Sequence, residues 1–253
     1  MRGPPPAIPV ELSFPAPTLS AMMRPMKVMT MALSIALGSG ALTPLNAEDA
    51  SAILAGARLA PTRTPAVLLA RIRTEDSVSP VVIRLKDQVI SYETGHPPRV
   101  LNALLHTDST ILTETPAGGG TPRILSPARL HEEFPGTGIS FEDLSLGFLY
   151  WPRPVLLGEE HFGVRNCWKI DLQAPPEETV YGVARVWIDK EFGGILKIEA
   201  YDRKGLLLKR FQLISPQKIK GLWLPKQMRI EGFEPGNPSP VSRAYLEILS
   251  RSE

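Results

Sequence analysis

Residues 181–211 read YGVARVWIDKEFGGILKIEAYDRKGLLLKRF, and their spacing decides the architecture. Ala184, Val186 and Ile188 fall on one side of an extended chain, with Arg185 and Asp189 on the other. After EFGG (191–194), Leu196, Ile198 and Ala200 alternate with Lys197, Glu199 and Tyr201. Successive side chains of a strand point to opposite faces, so this pattern belongs to strands with one face buried. The breakers EFGG (191–194) and DRKG (202–205) offer glycine for a tight turn and are far too short for the crossover that parallel neighbours need.

The same reading extends in both directions. WKIDL (168–172) puts Trp168, Ile170 and Leu172 on one face. Met228 and Ile230 alternate with Gln227, Arg229 and Glu231, after a third breaker, KIKG (218–221). Ala244, Leu246 and Ile248 alternate with Tyr245 and Glu247. The C-terminal half is therefore expected to be an antiparallel meander. Weaker alternation predicts further strands at 67–74, 81–86, 88–93, 99–106 and 109–114. AGGG (117–120) is followed by no Lys-Ser/Thr pair, so a hairpin loop explains it better than a phosphate cradle.

Two helices interrupt this pattern. The alanine-rich stretch 48–59 has high helical propensity and stops before Pro61. The second opens at SFED (140–143), which resembles a capping box, and runs through Leu144, Leu146, Phe148 and Leu149 before Pro152. The expected class is α+β, mainly antiparallel β, with a few helices covering the apolar face. Of 17 aromatic residues, 15 lie from Phe134 onward, which places the wide part of the core under the C-terminal meander.

Upstream, Arg24 and Lys27 precede an apolar run at 28–37, and small residues follow. This is the order of a secretory signal, and the run is about half of the roughly 20 residues that a spanning helix needs. Cleavage after Ala41 or Ala47 fits equally. Residues 1–21, with six of the chain's 26 prolines, read as an extension ahead of Met22, Met23 or Met26. The expected organisation is extension plus signal at 1–47 and a single domain at 48–253. Only Arg2, Arg24 and Lys27 of the 28 basic residues and Glu11 of the 26 acidic ones precede Glu48, so 48–253 keeps 25 of each. With no cysteine near the cleavage site to carry a lipid, the exported chain is expected to be periplasmic and soluble.

Composition excludes several kinds of chemistry. A formal charge of +2 leaves no basic footprint for nucleic acid. One cysteine, Cys167, rules out an intrachain disulfide framework or a multi-cysteine metal site. His96, His106, His131 and His161 lack ligand spacing, and HEEF (131–134) has no second histidine of a metal helix, so loop positions in solvent are expected. There is no Gly-x-Ser-x-Gly elbow, and Cys167 reads as a packed strand thiol. Neighbouring carboxylates such as Glu159 and Glu160 point to opposite faces of a strand. Asp143 admits two readings, a helix cap or a buried carboxylate with a task, and the cap is the simpler. Neither a catalytic residue nor a cofactor is predicted.

The segments SFEDLSLGFLYWPRPVLLGEE (140–160), NCWKIDL (166–172), VWIDKEFGGILKIEAYDRKGLLLKRF (186–211) and LWLPKQMRIEG (222–232) resemble the LolA-like outer-membrane lipoprotein-sorting family. The resemblance covers roughly residues 65–250. It implies a half-open β-barrel with helices across its mouth and an apolar cavity for acyl chains. The cavity wall would comprise Trp168, Ile170, Val186, Ile188, Leu196, Ile198, Met228, Ile230, Leu246 and Ile248. Alternation alone reports burial and not what does the burying, so a filled core would read the same. The resemblance implies a carrier of lipoprotein acyl chains or other lipids, and the chain is expected to be a monomer. The alternative is an interaction or sensor module of the cell envelope with a protein partner.

Overall fold

The computed structural model describes residues 47–95, 98–135, 137–175, 179–219 and 222–252. The expected export segment with both expected cleavage points up to Ala47, His96, and the glycine of the third breaker lie outside these residues or at their edge. Helix α1 is Ala47–Leu59, and a short 3-10 turn, Ala60–Thr62, ends it at Pro61. Six strands follow: β1 Ala66–Arg73, β2 Val78–Lys86, β3 Val89–Thr94, β4 Arg99–Leu105, β5 Thr110–Thr115 and β6 Arg123–Ile124. A small ribbon, β7 Glu133–Phe134 with β8 Ile139–Ser140, leads into α2 Phe141–Ser145 and a 3-10 turn at Gly147–Tyr150. Seven longer strands complete the chain: β9 Val155–Phe162, β10 Arg165–Gln173, β11 Val183–Asp189, β12 Ile195–Tyr201, β13 Leu207–Ile219, β14 Leu222–Gly232 and β15 Ser242–Ser252.

Thirteen of these strands form one antiparallel sheet in the order β6-β5-β4-β3-β2-β1-β15-β14-β13-β12-β11-β10-β9. Each half is an up-and-down meander of consecutive neighbours, and β1 against β15 joins the two. The edges β6 and β9 do not pair with each other, so the curled sheet stays open as a half-barrel.

Register explains why the alternation is so regular. On the concave face Ile170, Val186, Ile198, Phe211, Ile230 and Ala244 stand opposite one another across β10 to β15. All six are buried. On the convex face the corresponding row is Asp171, Arg185, Glu199, Arg210, Glu231 and Arg243, an alternation of charge across the same strands. Arg185 holds Asp171 at 2.7 and 2.8 Å, Arg210 holds Glu199 at 3.0 Å, and Arg243 holds Glu231 at 2.9 and 3.1 Å. Burial pushes the Glu199 carboxyl up, but Tyr201, Lys197 and Arg210 outweigh it and hold the group below the usual range. A one-residue slip would set all these partners on the wrong face, so the two rows specify one register.

The second predicted helix is shorter than its sequence pattern suggests. Leu146 takes φ 51°, ending α2 after Ser145, and the chain continues as a 3-10 turn. α1 matches its prediction and turns Ala50, Leu54 and Ala57 to the core. AGGG (117–120) falls between β5 and β6, in the hairpin position expected of it.

Candidate functional site

The concave face is the place to look for a ligand, and it is roofed. Ala50, Leu54 and Ala57 of α1, together with Phe134, Ile139, Phe141, Leu144, Phe148, Leu149 and Trp151, share one apolar cluster with the sheet. The Phe148 ring lies 6.2 Å from Phe211 in the middle of the concave row and 6.4 Å edge-on from Trp151. Phe134 and Phe141 stack edge-on at 6.0 Å.

The ten residues singled out from sequence divide accordingly. Ile170, Val186, Ile188, Ile198, Ile230 and Ile248 are buried in this cluster. Trp168 and Leu246 pack against it half-buried, and Met228, opposite Leu213 and Leu246, is half-buried too. Leu196 is the exception. A bulge between β11 and β12 sets Ile188 opposite Ile195, so Ile195 packs on the cluster and Leu196 is the extra residue of the irregularity. Simple alternation cannot foresee that step, because one inserted residue inverts the parity of everything before it.

The roof is held down by polar contacts, of which the sequence showed only the capping box at SFED (140–143). Ser140 caps α2 and Asp143 returns the bond to the Ser140 amide at 3.0 Å, a complete capping box. The Asp143 side chain is nonetheless fully buried, and it does more than cap. Its Oδ2 also accepts from the Lys209 ammonium, while its Oδ1 accepts from the Tyr181 hydroxyl at 3.1 Å. The expected cap is therefore present, and the same buried carboxylate has two partners beyond it. Lys209 has a concave-face position, opposite Ala200 and Gly232, and Ala184 and Ala200 of that row leave space for it. A Cβ at Gly232 would sit 2.5 Å from Ser242 Oγ, so that hydroxyl would have to turn aside to admit one. Burial, then the negative charges of Asp143 and Glu142, push the Tyr181 phenol well above its ordinary range and keep it a donor.

Glu142, next along α2, accepts from the Thr179 hydroxyl and lies 3.3 Å from His131 Nδ1. Arg58 at the end of α1 completes the fastening. It donates to the Leu149 carbonyl at 2.7 Å and to the Thr107 carbonyl at 3.3 Å, with its guanidinium 4.5 Å over the Tyr150 ring. One signal for this cluster was available in the sequence: Lys209 has the inward parity of Phe211, a charge on an otherwise apolar face.

Among the described residues no group of three or more His, Cys, Asp and Glu is placed to hold a metal ion. Cys167 is buried on β10, and burial, then the Asp189 charge, push its thiol up, away from a reactive thiolate. His161 sits on β9 and not in a loop, while His106 and His131 are exposed. Glu159 and Glu160 take separate partners, Lys190 at 2.6 Å and Lys169 at 2.5 Å. No helix among the described residues is long and apolar enough to cross a membrane.

A family model described as an uncharacterized protein matches residues 115–245, more than half of the chain. The chain belongs to this family. The matched region contains the latch that Asp143 forms with Tyr181 and Lys209, together with Glu142, Phe148 and strands β9 to β14. No curated protein matches the chain. Among solved structures, an outer membrane lipoprotein-sorting protein domain from Vibrio parahaemolyticus aligns at TM-score 0.65 and 19% identity, over 82% of this chain and 93% of that one. A LolA superfamily protein from Nitrosomonas europaea aligns at TM-score 0.55 and 18% identity, over 80% of this chain and 92% of that one. A DUF1329 family protein from Desulfovibrio piger aligns at TM-score 0.54 and 19% identity, over 81% and 92%. At these identities the likeness is one of fold, and the fold is LolA-like.

Glu142 gives the roof a dependence on pH. Burial raises its carboxyl above the ordinary 4.5, and the Asp143 charge adds to this, although Thr179 and His131 oppose it. The folded state thus holds a proton here that the unfolded chain releases near 4.5. In this group's own contribution, stability falls as pH rises from 4.5 through the raised folded value. Glu142→Gln can keep the Thr179 bond and is expected to flatten that part of the curve. Urea unfolding of both chains between about pH 4.5 and 7 checks this; parallel curves would show that Glu142 does not titrate with folding.

Proposed function

We propose that this protein is an exported, periplasmic carrier that holds the acyl chains of lipoproteins or other lipids against the concave face of the half-barrel. In this reading residues 48–253 form the working domain, and the export segment precedes it. One observation carries the proposal: the apolar face is covered by a roof that polar contacts fasten, with neither a disulfide nor strand pairing between roof and sheet among the described residues. Such a roof can lift without breaking the main ladder.

The energetics suit a reversible carrier. Each methylene withdrawn from water contributes about 0.8 kcal/mol. An acyl chain entering an empty groove would gain this in full and leave slowly. Here Phe148, Leu144 and their neighbours already cover the wall, so a chain must displace side chains that rebury themselves when it departs. Ile170, Val186, Ile188, Ile198, Ile230 and Ile248 would line the occupied cavity, with Trp168, Met228 and Leu246 at its margin.

Titrating the purified full chain with a fluorescent fatty acid tests the reading. Saturable binding, competed by unlabelled lipid, is the expected result. Absence of binding, together with absence of co-purified lipid, would sink it and favour an envelope-interaction role for the same fold.

A further inference from the structure

The β13–β14 hairpin carries an arrangement that neither core nor roof uses. The register of β12 with β13 runs no further toward the tip than Lys197 opposite Gln212, and that of β14 with β15 no further than Gln227 opposite Glu247. Beyond those positions the two arms pair with each other up to Ile219 and Leu222. The stretch 211–230, FQLISPQKIKGLWLPKQMRI, holds Lys218, Lys220, Lys226 and Arg229 and no acidic residue. Its apolar side chains are not all used in packing. Ile214 and Trp223 are exposed, Trp223 by 51%. From the neighbouring β11–β12 turn, Phe192, 54% exposed, places its ring 5.8 Å from that of Trp223.

Topology brings more apolar surface to the same place. In an up-and-down sheet alternate connections share an end, so the β9–β10 turn, the β11–β12 turn and the Ile219 and Leu222 end of the β13–β14 pair lie together. Val164 of the first is 97% exposed. Cations frame these side chains: Arg165 lies 4.6 Å over the Phe192 ring and Lys218 lies 5.8 Å over Trp223. The acids nearby are matched, Glu191 by Arg165 at 2.9 Å and Glu159 by Lys190 at 2.6 Å. Lys218 and Lys226 make no ion pair with another described residue.

Exposed apolar side chains gathered at one place and rimmed by polar groups mark an interaction surface. Here the chemistry is specific: amphipathic rings suited to the level of lipid headgroups, and lysines suited to anionic ones. An acidic polymer without apolar depth would satisfy the lysines and leave the rings in water. We propose that this end of the sheet docks on the surface of an anionic phospholipid bilayer, with Phe192 and Trp223 entering the interface and Lys218 and Lys226 meeting the headgroups. This surface is separate from the roofed concave face, so the proposal stands or falls independently of the carrier reading.

A local probe tests it in the full chain. Val164→Cys and, separately, Val241→Cys on the connection at the opposite end of the sheet are labelled with an environment-sensitive fluorophore, the buried Cys167 being shielded. Each is mixed with vesicles of phosphatidylcholine alone or with phosphatidylglycerol added. The probe at 164 is expected to brighten and shift to the blue on the anionic vesicles only, and the probe at 241 to stay unchanged. Lys218→Glu with Lys226→Glu, or Phe192→Ser with Trp223→Ser, is expected to weaken the response about tenfold or more. Equal responses at 164 and 241, equal responses to both vesicle types, no response, or double variants that bind as tightly as the parent would each overturn it.

Discussion

Asp143→Ala is expected to lower the free energy of unfolding by about 3–5 kcal/mol, read from urea denaturation at pH 7. The magnitude comes from what is left behind. Lys209, with only 16% of its side chain exposed, loses its counter-charge, and a charge stranded in such a place costs far more than the pair was worth. The Tyr181 hydroxyl and the Ser140 amide lose an acceptor at the same time, and α2 loses half of its capping box, itself worth about 1 kcal/mol. One effect runs the other way: without the Asp143 charge, Glu142 is less penalised for ionising beside it. That relief is a small part of the whole, since burial is the larger cause of the Glu142 shift.

The companion experiment separates a latch from a general packing loss. Replacing both partners, Asp143→Leu with Lys209→Met, removes both buried charges and is expected to recover most of the stability lost in the single variant. A drop below about 1 kcal/mol in Asp143→Ala would mean that the roof rests on its apolar contacts alone.

How far the sequence could be read depends on the range of the physics involved. Strand alternation is local, and the runs at 168–172, 184–188 and 227–231 declare their faces without knowledge of their neighbours. The antiparallel order follows from turns such as DRKG (202–205), where Asp202 accepts from the amides of Lys204 and Leu206 within a few residues. The capping box at Ser140 and Asp143 was legible for the same reason. The bulge that replaces Leu196 by Ile195 was not, because it is settled by the pairing of β12 with β11 and not by β12's own sequence. The left-handed Leu146 that shortens α2 escaped too: apolar spacing continues unbroken through it, and the turn is fixed by how Phe148 and Leu149 must reach the core. The latch is the least local feature. Asp143 meets residues 38 and 66 positions away, and no pattern in α2 names them. Only Lys209, charged where its neighbours in parity are apolar, offered a hint.

Phe148→Ala is the variant in which stability and binding are expected to part company. Phe148 is almost completely buried, between Trp151 on the roof and Phe211 in the centre of the concave row. Truncation removes an aromatic ring from a site whose floor is a strand ladder and cannot collapse into the gap, so a loss of about 3–5 kcal/mol is expected. In an ordinary filled core that is the whole consequence, and every ligand-binding property declines with it. In a carrier, the ring is one of the side chains that an acyl chain must displace. Removing it leaves apolar space against Phe211, Ile198 and Ile230, which a methylene chain can occupy without moving the roof as far. The Phe148→Ala chain is therefore expected to unfold at lower urea concentration than the parent and yet bind a fluorescent fatty acid more tightly, with a correspondingly larger rise in midpoint when the fatty acid is present. Lower stability together with weaker or absent binding would identify the concave face as a core that the roof merely completes.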